Sequence, residues 1–181
     1  FLWENAENIH FIFLAWDDAV VDTAFWKAWW KSSDLYNWDS FKKTLWNILF
    51  QTPYDTAPIT PLFWNNTTQS RAYQLLPDIK DLRFRHHIRI WKTNYMYENK
   101  YIYVGVWVLD NWLKWNIIHK IDPDINTERE YIYTSLENAG VIQEAKKIDF
   151  VSAYQAKNVF GDIFISDGKL YQITLEVNEK K

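Results

Sequence analysis

The hydrophobic residues near the N-terminus recur at intervals of three and four, a spacing that places side chains on one face of a helix. One such segment follows the capping candidates Asp22 and Thr23, and a second follows Asp39 and Ser40. Their apolar positions are largely aromatic: Phe25, Trp26, Trp29 and Trp30 in the first, and Phe41, Leu45, Trp46, Ile48 and Leu49 in the second. We expect the first zone, to about residue 50, to be helical, with an aromatic stripe on each helix.

Further along the chain, the pattern changes to runs of β-branched and aromatic residues, which are typical of strands. An extended connection comes first, because Pro53, Pro58 and Pro61 exclude a helix there. The predicted strands are Leu62–Trp64, Ala72–Leu76, Leu82–Lys92 and Tyr101–Leu109. The last run is apolar on both faces, as a central strand would be, and Gly105 within it indicates a bulge or a close backbone approach.

The C-terminal part of the chain has a strong helix signal followed by a turn signal. Asn126 can cap a helix over about Thr127–Ala139, which Gly140 would end. The pair Asp167-Gly168 predicts a hairpin between strands Ile163–Ser166 and Lys169–Val177. Together these elements predict an α+β fold with a mainly antiparallel sheet, N-terminal helices and one helix after the central strands.

Composition narrows the class of protein. The 181 residues fit a single domain, 1–181, with one core, and the lack of cysteine excludes disulfides and thiolate chemistry. A net charge of −3 gives no general attraction for nucleic acid, so we expect no nucleic-acid partner. No apolar run reaches the roughly 18 residues of a membrane span. Because the chain begins at Phe1 without a methionine, we expect a processed product or a fragment, from which any signal or anchor is already gone.

The most unusual segment is the predicted strand at 82–91, in which alternation gives one apolar and one cationic face. The cationic face carries Arg83, Arg85, His87 and Arg89. Clustered guanidinium groups suit carboxylate or phosphate, so we predict that these arginines bind an anion. The alternative is a solvated sheet face whose arginines pair with acids on the next strand. His86 lies on the apolar face, where a satisfied core histidine is the favoured interpretation over a ligand.

A second candidate segment runs from His119 to Arg129 and leads into the predicted C-terminal helix. If His119, Asp122 and Asp124 met His87 in space, a divalent metal could be bound, and a metal-bound water could attack an ester or phosphoester. The favoured alternative is that Asp-Pro-Asp is an ordinary turn at the entry to a helix. A structural role is the alternative for Arg129, in which its side chain attaches the helix to the sheet.

Three separated motifs resemble the LssY C-terminal domain family of bacteria. They are Arg83-x-Arg85-His86-His87-x-Arg89-x-Trp91, Val104-Gly105-x-Trp107 with Asp110, and His119-x-Ile-Asp-Pro-Asp-Ile-x-x-Glu128-Arg129. In that family the domain often follows a membrane domain similar to type 2 phosphatidic-acid phosphatases, or stands alone behind an export or membrane signal. The resemblance implies that the three motifs lie together in the fold. Asn126 stands where relatives are expected to carry Asp, and Ile118 where they are expected to carry Thr.

The leading hypothesis is therefore an accessory domain of the cell envelope, or an exported one, that binds an anionic, phosphate-bearing molecule or lipid headgroup. A membrane-protein or envelope partner fits this hypothesis, which leaves open whether the domain is a hydrolase, which side of the membrane it occupies and whether it holds a divalent metal. The predicted anion contacts are Arg83, Arg85, Arg89 and Arg129; the predicted catalytic residues are His87, His119 and Asp122; and the metal candidates are His87, His119, Asp122, Asp124 and Glu128.

A noncatalytic interaction or structural module is the competing hypothesis. Eight of the 12 tryptophans precede residue 65, so an exposed aromatic surface could bind a protein, a glycan or a membrane interface. A third interpretation places all of these tryptophans in the core. Exposure of Trp26, Trp29 or Trp30 would favour the interaction module.

Overall fold

The computed structural model describes residues 9–33, 63–75, 86–107, 124–157 and 163–177. The described elements, in chain order, are β1 (Phe11–Ala15), α1 (Asp18–Lys27), β2 (Lys31–Ser32), β3 (Phe63–Trp64), β4 (Thr67–Thr68), β5 (Arg71–Leu75), β6 (His86–Tyr97), β7 (Lys100–Trp107), α2 (Ile125–Asn138), β8 (Ile142–Asp149), β9 (Tyr154–Lys157), β10 (Ile163–Ser166) and β11 (Lys169–Leu175). The α+β fold with a mainly antiparallel sheet is confirmed. Neither described helix has the length and apolar character needed to cross a bilayer.

Seven strands form the main sheet in the order β2-β5-β6-β7-β1-β11-β8. Neighbours run antiparallel except β1 and β11, which are parallel. The N-terminal zone, predicted to be helical, contributes strand β1 to the interior of this sheet, so that prediction is wrong for Phe11–Ala15. A run of five consecutive apolar residues is long enough to form a strand covered on both faces. It is too short to show the three- and four-residue spacing on which the helix prediction was based.

Both helices pack on one face of the sheet and form the principal core with it. Alternate residues of the central strands point into this core, among them Phe11 and Phe13 of β1 and Ile88 of β6. Gly105 of β7 faces the same layer, and a Cβ there would lie 2.9 Å from Phe13 Cε2. The predicted close approach at Gly105 is therefore confirmed. On the opposite face, Trp64 of the short β3–β4 hairpin packs against Trp91 and Val106.

Helix α1 begins earlier than predicted. Asp17 is its N-cap and accepts a hydrogen bond from the Val20 N–H at 3.0 Å, so the predicted caps Asp22 and Thr23 lie inside the helix. The Asp22 carboxylate instead accepts from Arg71 Nε at 2.8 Å. A carboxylate with a cationic partner on the sheet can lie in the helix body, which is why the capping preference alone placed the boundary wrongly. The second predicted helix, 39–49, lies outside the described residues.

Helix α2 confirms its prediction closely, with Asp124 rather than Asn126 as the N-cap. The C-terminal hairpin is a correction. Its two predicted strands exist, and Gly168 between them has a φ of +74°, but β10 pairs with β9 while β11 pairs with β1 and β8. The turn is attached to α2, since the Asp167 N–H donates to Asn126 Oδ1 at 3.0 Å. This attachment directs the two strands into different sheets.

Candidate functional site

The three motifs that resemble one family meet at one edge of the main sheet. β6 begins there with His86 and β7 ends there with Trp107, and the register pairs Ile88 with Trp107. The first turn of α2 reaches the same edge, because Glu128 contacts His86. The prediction that these motifs lie together is therefore confirmed for their described residues.

His86 and Glu128 form the central contact of this edge. The Nδ1 atom of His86 is hydrogen-bonded to Glu128 Oε1, and the Tyr131 ring stacks on the imidazole with centroids 4.0 Å apart. Both side chains of the pair are largely but not fully buried. A carboxylate at Nδ1 favours the tautomer with its proton there and leaves the lone pair on Nε2. This is the geometry of a proton-transfer group oriented by an acid.

Local structure explains why these side chains meet. Alternation along β6 sends His86 to the face that carries the helices, as predicted from the sequence, together with Ile88 and Ile90. In α2, Glu128 and Tyr131 are three residues apart and so lie on the same side of the helix. His86 thus has a hydrogen-bond partner, as expected, and that partner is Glu128, which belongs to another of the three motifs.

Arg129 follows Glu128 and has a different environment. Its side chain is 1% exposed, and its guanidinium donates to the Asp167 carboxylate at 2.7 and 2.9 Å, to Glu130 Oε1 and to the carbonyl oxygen of Lys169. Burial opposes the charged form of Arg129, but the hydrogen bonds that it donates to Asp167 and Glu130 outweigh this effect and raise the Arg129 pKa. The hydrogen bond from Arg129 is also the main cause that lowers the pKa of Asp167 to about 2.

These contacts use all five N–H donors of Arg129, since Nε also donates to Glu130. This geometry supports the structural role considered for Arg129 in the sequence analysis, in which its side chain attaches α2 to the sheet. The salt bridge between Lys147 and Glu130, at 2.7 Å, extends the same network to β8. We therefore assign Arg129 to the architecture that holds the first turn of α2 beside His86.

His87 and Arg89 point to the opposite face of the sheet from His86. Both are buried, and Arg89 is 0% exposed, so this face is not the solvated one that the alternative interpretation described. Gln74 lies across from His87 in the register, while Ala72 and Val106 flank Arg89. The strand alternation separates His87 from Asp124 and Glu128, so the structure does not bring these three metal candidates together.

Several predicted site residues lie outside the described residues: Arg83, Arg85, His119 and Asp122. Their roles stay predictions. In the part of the chain that the structure describes, no three histidine or acidic side chains are grouped to hold a metal. Asp124 has the capping role of the favoured alternative, since it accepts from the Asn126 N–H at 2.9 Å. The amide of Asn126 donates in turn to Asp124, which an aspartate at this position could not do at neutral pH.

His10 is a buried residue of this edge that the sequence did not single out. Its Nδ1 accepts a hydrogen bond from the Trp107 N–H at 3.3 Å. Burial first, and then the charge of Arg129, lower the pKa of His10 to about 3, although Asp167 opposes the shift. The only sequence feature that could have pointed to His10 is its position directly before a buried strand. That position does not by itself predict a neutral imidazole beside an arginine.

A second group missed from the sequence joins α1 to the other end of the sheet. Asp18 accepts a hydrogen bond from Tyr103 at 2.6 Å and forms salt bridges with Arg71 and Lys92, each at 3.0 Å. Burial raises the pKa of Asp18, but the bonds from Tyr103 and Lys92 outweigh it and leave the pKa at about 2. Each side chain already contacts another, so we assign the group to attachment of the helix.

The tryptophans of the first predicted helix divide into two groups. Trp30 is buried and donates its indole N–H to Ser135 Oγ of α2 at 2.9 Å. Trp26 and Trp29 are 73% and 82% exposed, respectively. The interpretation that places all tryptophans in the core is therefore wrong, and the exposure favours the interaction hypothesis for this part of the surface.

The fold and this edge define a class of protein, an α+β domain with a histidine–glutamate pair where its helix meets the sheet. The family model described as LssY C-terminus matches residues 4–170, and the chain belongs to this family. No curated protein and no solved structure matches the chain significantly.

Proposed function

We propose that this domain binds an anionic, phosphate-bearing ligand at the sheet edge that holds His86 and Glu128. The observation that carries the proposal is the contact of these two side chains, which joins two motifs far apart in the sequence. Glu128 fixes the orientation of the ring through Nδ1, so that a protonated Nε2 can donate a hydrogen bond to a phosphate oxygen. His86, rather than His87, is the histidine that this proposal assigns to the ligand.

The chemistry of the pair permits either binding or proton transfer. A neutral imidazole with Glu128 at Nδ1 can accept a proton at Nε2, and the protonated ring can return it to a leaving oxygen. Hydrolysis would be an additional step that binding does not require.

The proposed place of action is the cell envelope or its exterior, with a membrane or envelope protein as a partner. The family resemblance supports this part of the proposal, because related domains often follow a membrane-embedded phosphatase-like domain. The ligand would then be a phosphorylated small molecule or the headgroup of a lipid.

Histidine NMR offers a direct test, because the chain has four histidines and their side-chain nitrogen resonances can be assigned by substitution. We expect titration with inorganic phosphate, and with glycerol 3-phosphate as a headgroup mimic, to move the Nε2 resonance that is missing in His86→Gln. The same ligands should raise the thermal midpoint of the wild type more than that of His86→Gln or Glu128→Gln.

Lys100→Gln is the matched control, because it removes one positive charge at the opposite end of β7. It should respond to phosphate as the wild type does. The proposal is wrong if phosphate moves no histidine resonance, or if His86→Gln keeps the full phosphate response.

A further inference from the structure

The turn that ends α1 exposes the side chains of two tryptophans, Trp26 and Trp29, while Trp30 is buried beneath it. We call residues 26–31 the tryptophan turn. The Trp30 N–H donates to the Phe25 carbonyl oxygen and the Trp29 N–H to that of Trp26, both at 2.9 Å, which is the Schellman arrangement of a helix C-terminus. Trp30 packs against Phe25 with ring centroids 5.9 Å apart and anchors the turn in the core.

Trp29 occupies the position of this motif that glycine usually takes. Its φ is +69°, in the left-handed region that a side chain with a Cβ disfavours. The indole gains little burial in return, since it is 82% exposed. A residue that is unfavourable for the backbone and adds little to the core is better explained by a contact outside the chain.

The composition of the tryptophan turn indicates what that contact is. Lys27 lies between the two exposed tryptophans in the sequence and Lys31 follows them, and residues 23–33 contain no acidic residue. Tryptophan prefers the headgroup level of a bilayer, and nearby lysines are attracted to anionic lipids. Two indoles offer at most about 500 Å² together, whereas a protein interface of ordinary size needs about 800 Å² on each partner.

We propose that the tryptophan turn docks on the surface of an anionic lipid bilayer. Trp26 and Trp29 enter the boundary between headgroups and acyl chains, and the lysines lie at the level of the lipid phosphates. This docking does not depend on the ligand proposed for His86. The register nevertheless pairs Lys31 with Gln74 and Gln74 with His87, so the turn lies two strand spacings, about 10 Å, from β6. Docking would therefore bring the sheet edge that holds His86 and Glu128 close to lipid headgroups.

Vesicle flotation tests the docking. The full chain should float with vesicles of phosphatidylcholine and phosphatidylglycerol and bind phosphatidylcholine alone more weakly. Substituting both Trp26→Ser and Trp29→Ser should reduce the partition coefficient at least about tenfold, because binding scales with the apolar area inserted. Lys27→Gln with Lys31→Gln should remove the preference for phosphatidylglycerol and keep the weaker binding.

Tyr95→Ser is the matched control, because Tyr95 on β6 is as exposed as Trp26, at 73%. It should float as the wild type does, which separates insertion of the tryptophan turn from the mere exposure of an aromatic side chain. Trp26→Ser alone serves as a second variant that leaves the backbone of Trp29 unchanged, and thermal midpoints should match the wild type throughout. The proposal is overturned if the wild type does not float, if the double serine variant floats equally, or if Tyr95→Ser loses as much binding.

Discussion

Mild acid should destabilise this protein through the buried side chain of His10. His10 is buried, and its pKa is lowered to about 3 by burial and by the charge of Arg129, against the opposing charge of Asp167. A histidine in the unfolded chain has a pKa near 6.5. As the pH falls below that value, His10 becomes protonated in the unfolded state but stays neutral in the folded state. The stability contributed by neutral His10 is therefore complete above about pH 6.5 and is lost as the pH falls toward 3.

The size of this effect follows from the linkage between proton binding and folding. One proton bound only by the unfolded state changes the free energy of unfolding by about 1.4 kcal/mol per pH unit. Between about pH 6.5 and pH 4.5, His10 should therefore remove roughly 2 kcal/mol. This window lies above the pKa of about 2 of Asp167 and Asp18, whose contributions are lost only at lower pH.

Urea unfolding at several pH values in this window, for the wild type and for His10→Gln, measures the effect. The glutamine variant should be less stable at neutral pH by about 1 to 2 kcal/mol, because it loses a packed ring and an acceptor for the Trp107 N–H. Its free energy of unfolding should then fall less steeply with acid than that of the wild type. Equal slopes for the two proteins would refute the reasoning.

Three further substitutions test the packing described above by chemical denaturation. Arg129→Met should cost about 3 to 5 kcal/mol, because it leaves the carboxylates of Asp167 and Glu130 without their buried partner, and a loss below 1 kcal/mol would contradict that role. Gly105→Ala should cost about 1 to 3 kcal/mol, since its Cβ would meet Phe13 at 2.9 Å and Phe11 at 3.0 Å; an unchanged midpoint would exclude the close approach. Trp29→Gly should be more stable than Trp29→Ala by about 1 kcal/mol, because the φ of +69° suits glycine, and the reverse order would exclude a left-handed backbone there.

Where the signal is local, the sequence predicted the structure well. Helix α2 combines a capping aspartate, an acidic first turn and an apolar stripe, and its observed span differs from the predicted one by two residues at the start and one at the end. The alternation along β6 also placed His86 and His87 on opposite faces correctly, because the pairing of residues 86–90 with β5 is regular. Gly105 marked a close approach for a similar reason, since removing a side chain serves few other purposes inside a strand.

The features that depended on distant partners were not predictable in the same way. Whether a histidine on the apolar face meets an acid depends on where α2 crosses the sheet, and no spacing within β6 contains that information. The Asp167-Gly168 turn had the residues of a hairpin, yet contacts with Asn126 and Arg129 give its two strands different partners. Trp26 and Trp29 fitted a helical stripe, but the helix ends at Lys27, before Trp29, and both indoles are exposed.

The parallel pairing of β1 and β11 has a consequence for how the chain folds. β1 leaves the ribosome well before β11, because its register joins Phe11 to Tyr171, 160 residues later. Its other described neighbour, β7, is also distant in sequence. Closing such long loops costs entropy before any contact repays it, so folding should be slow and should wait for the synthesis of β11. During synthesis the apolar edge of β1 would remain open, and a chaperone that covers such edges should increase the yield of folded protein.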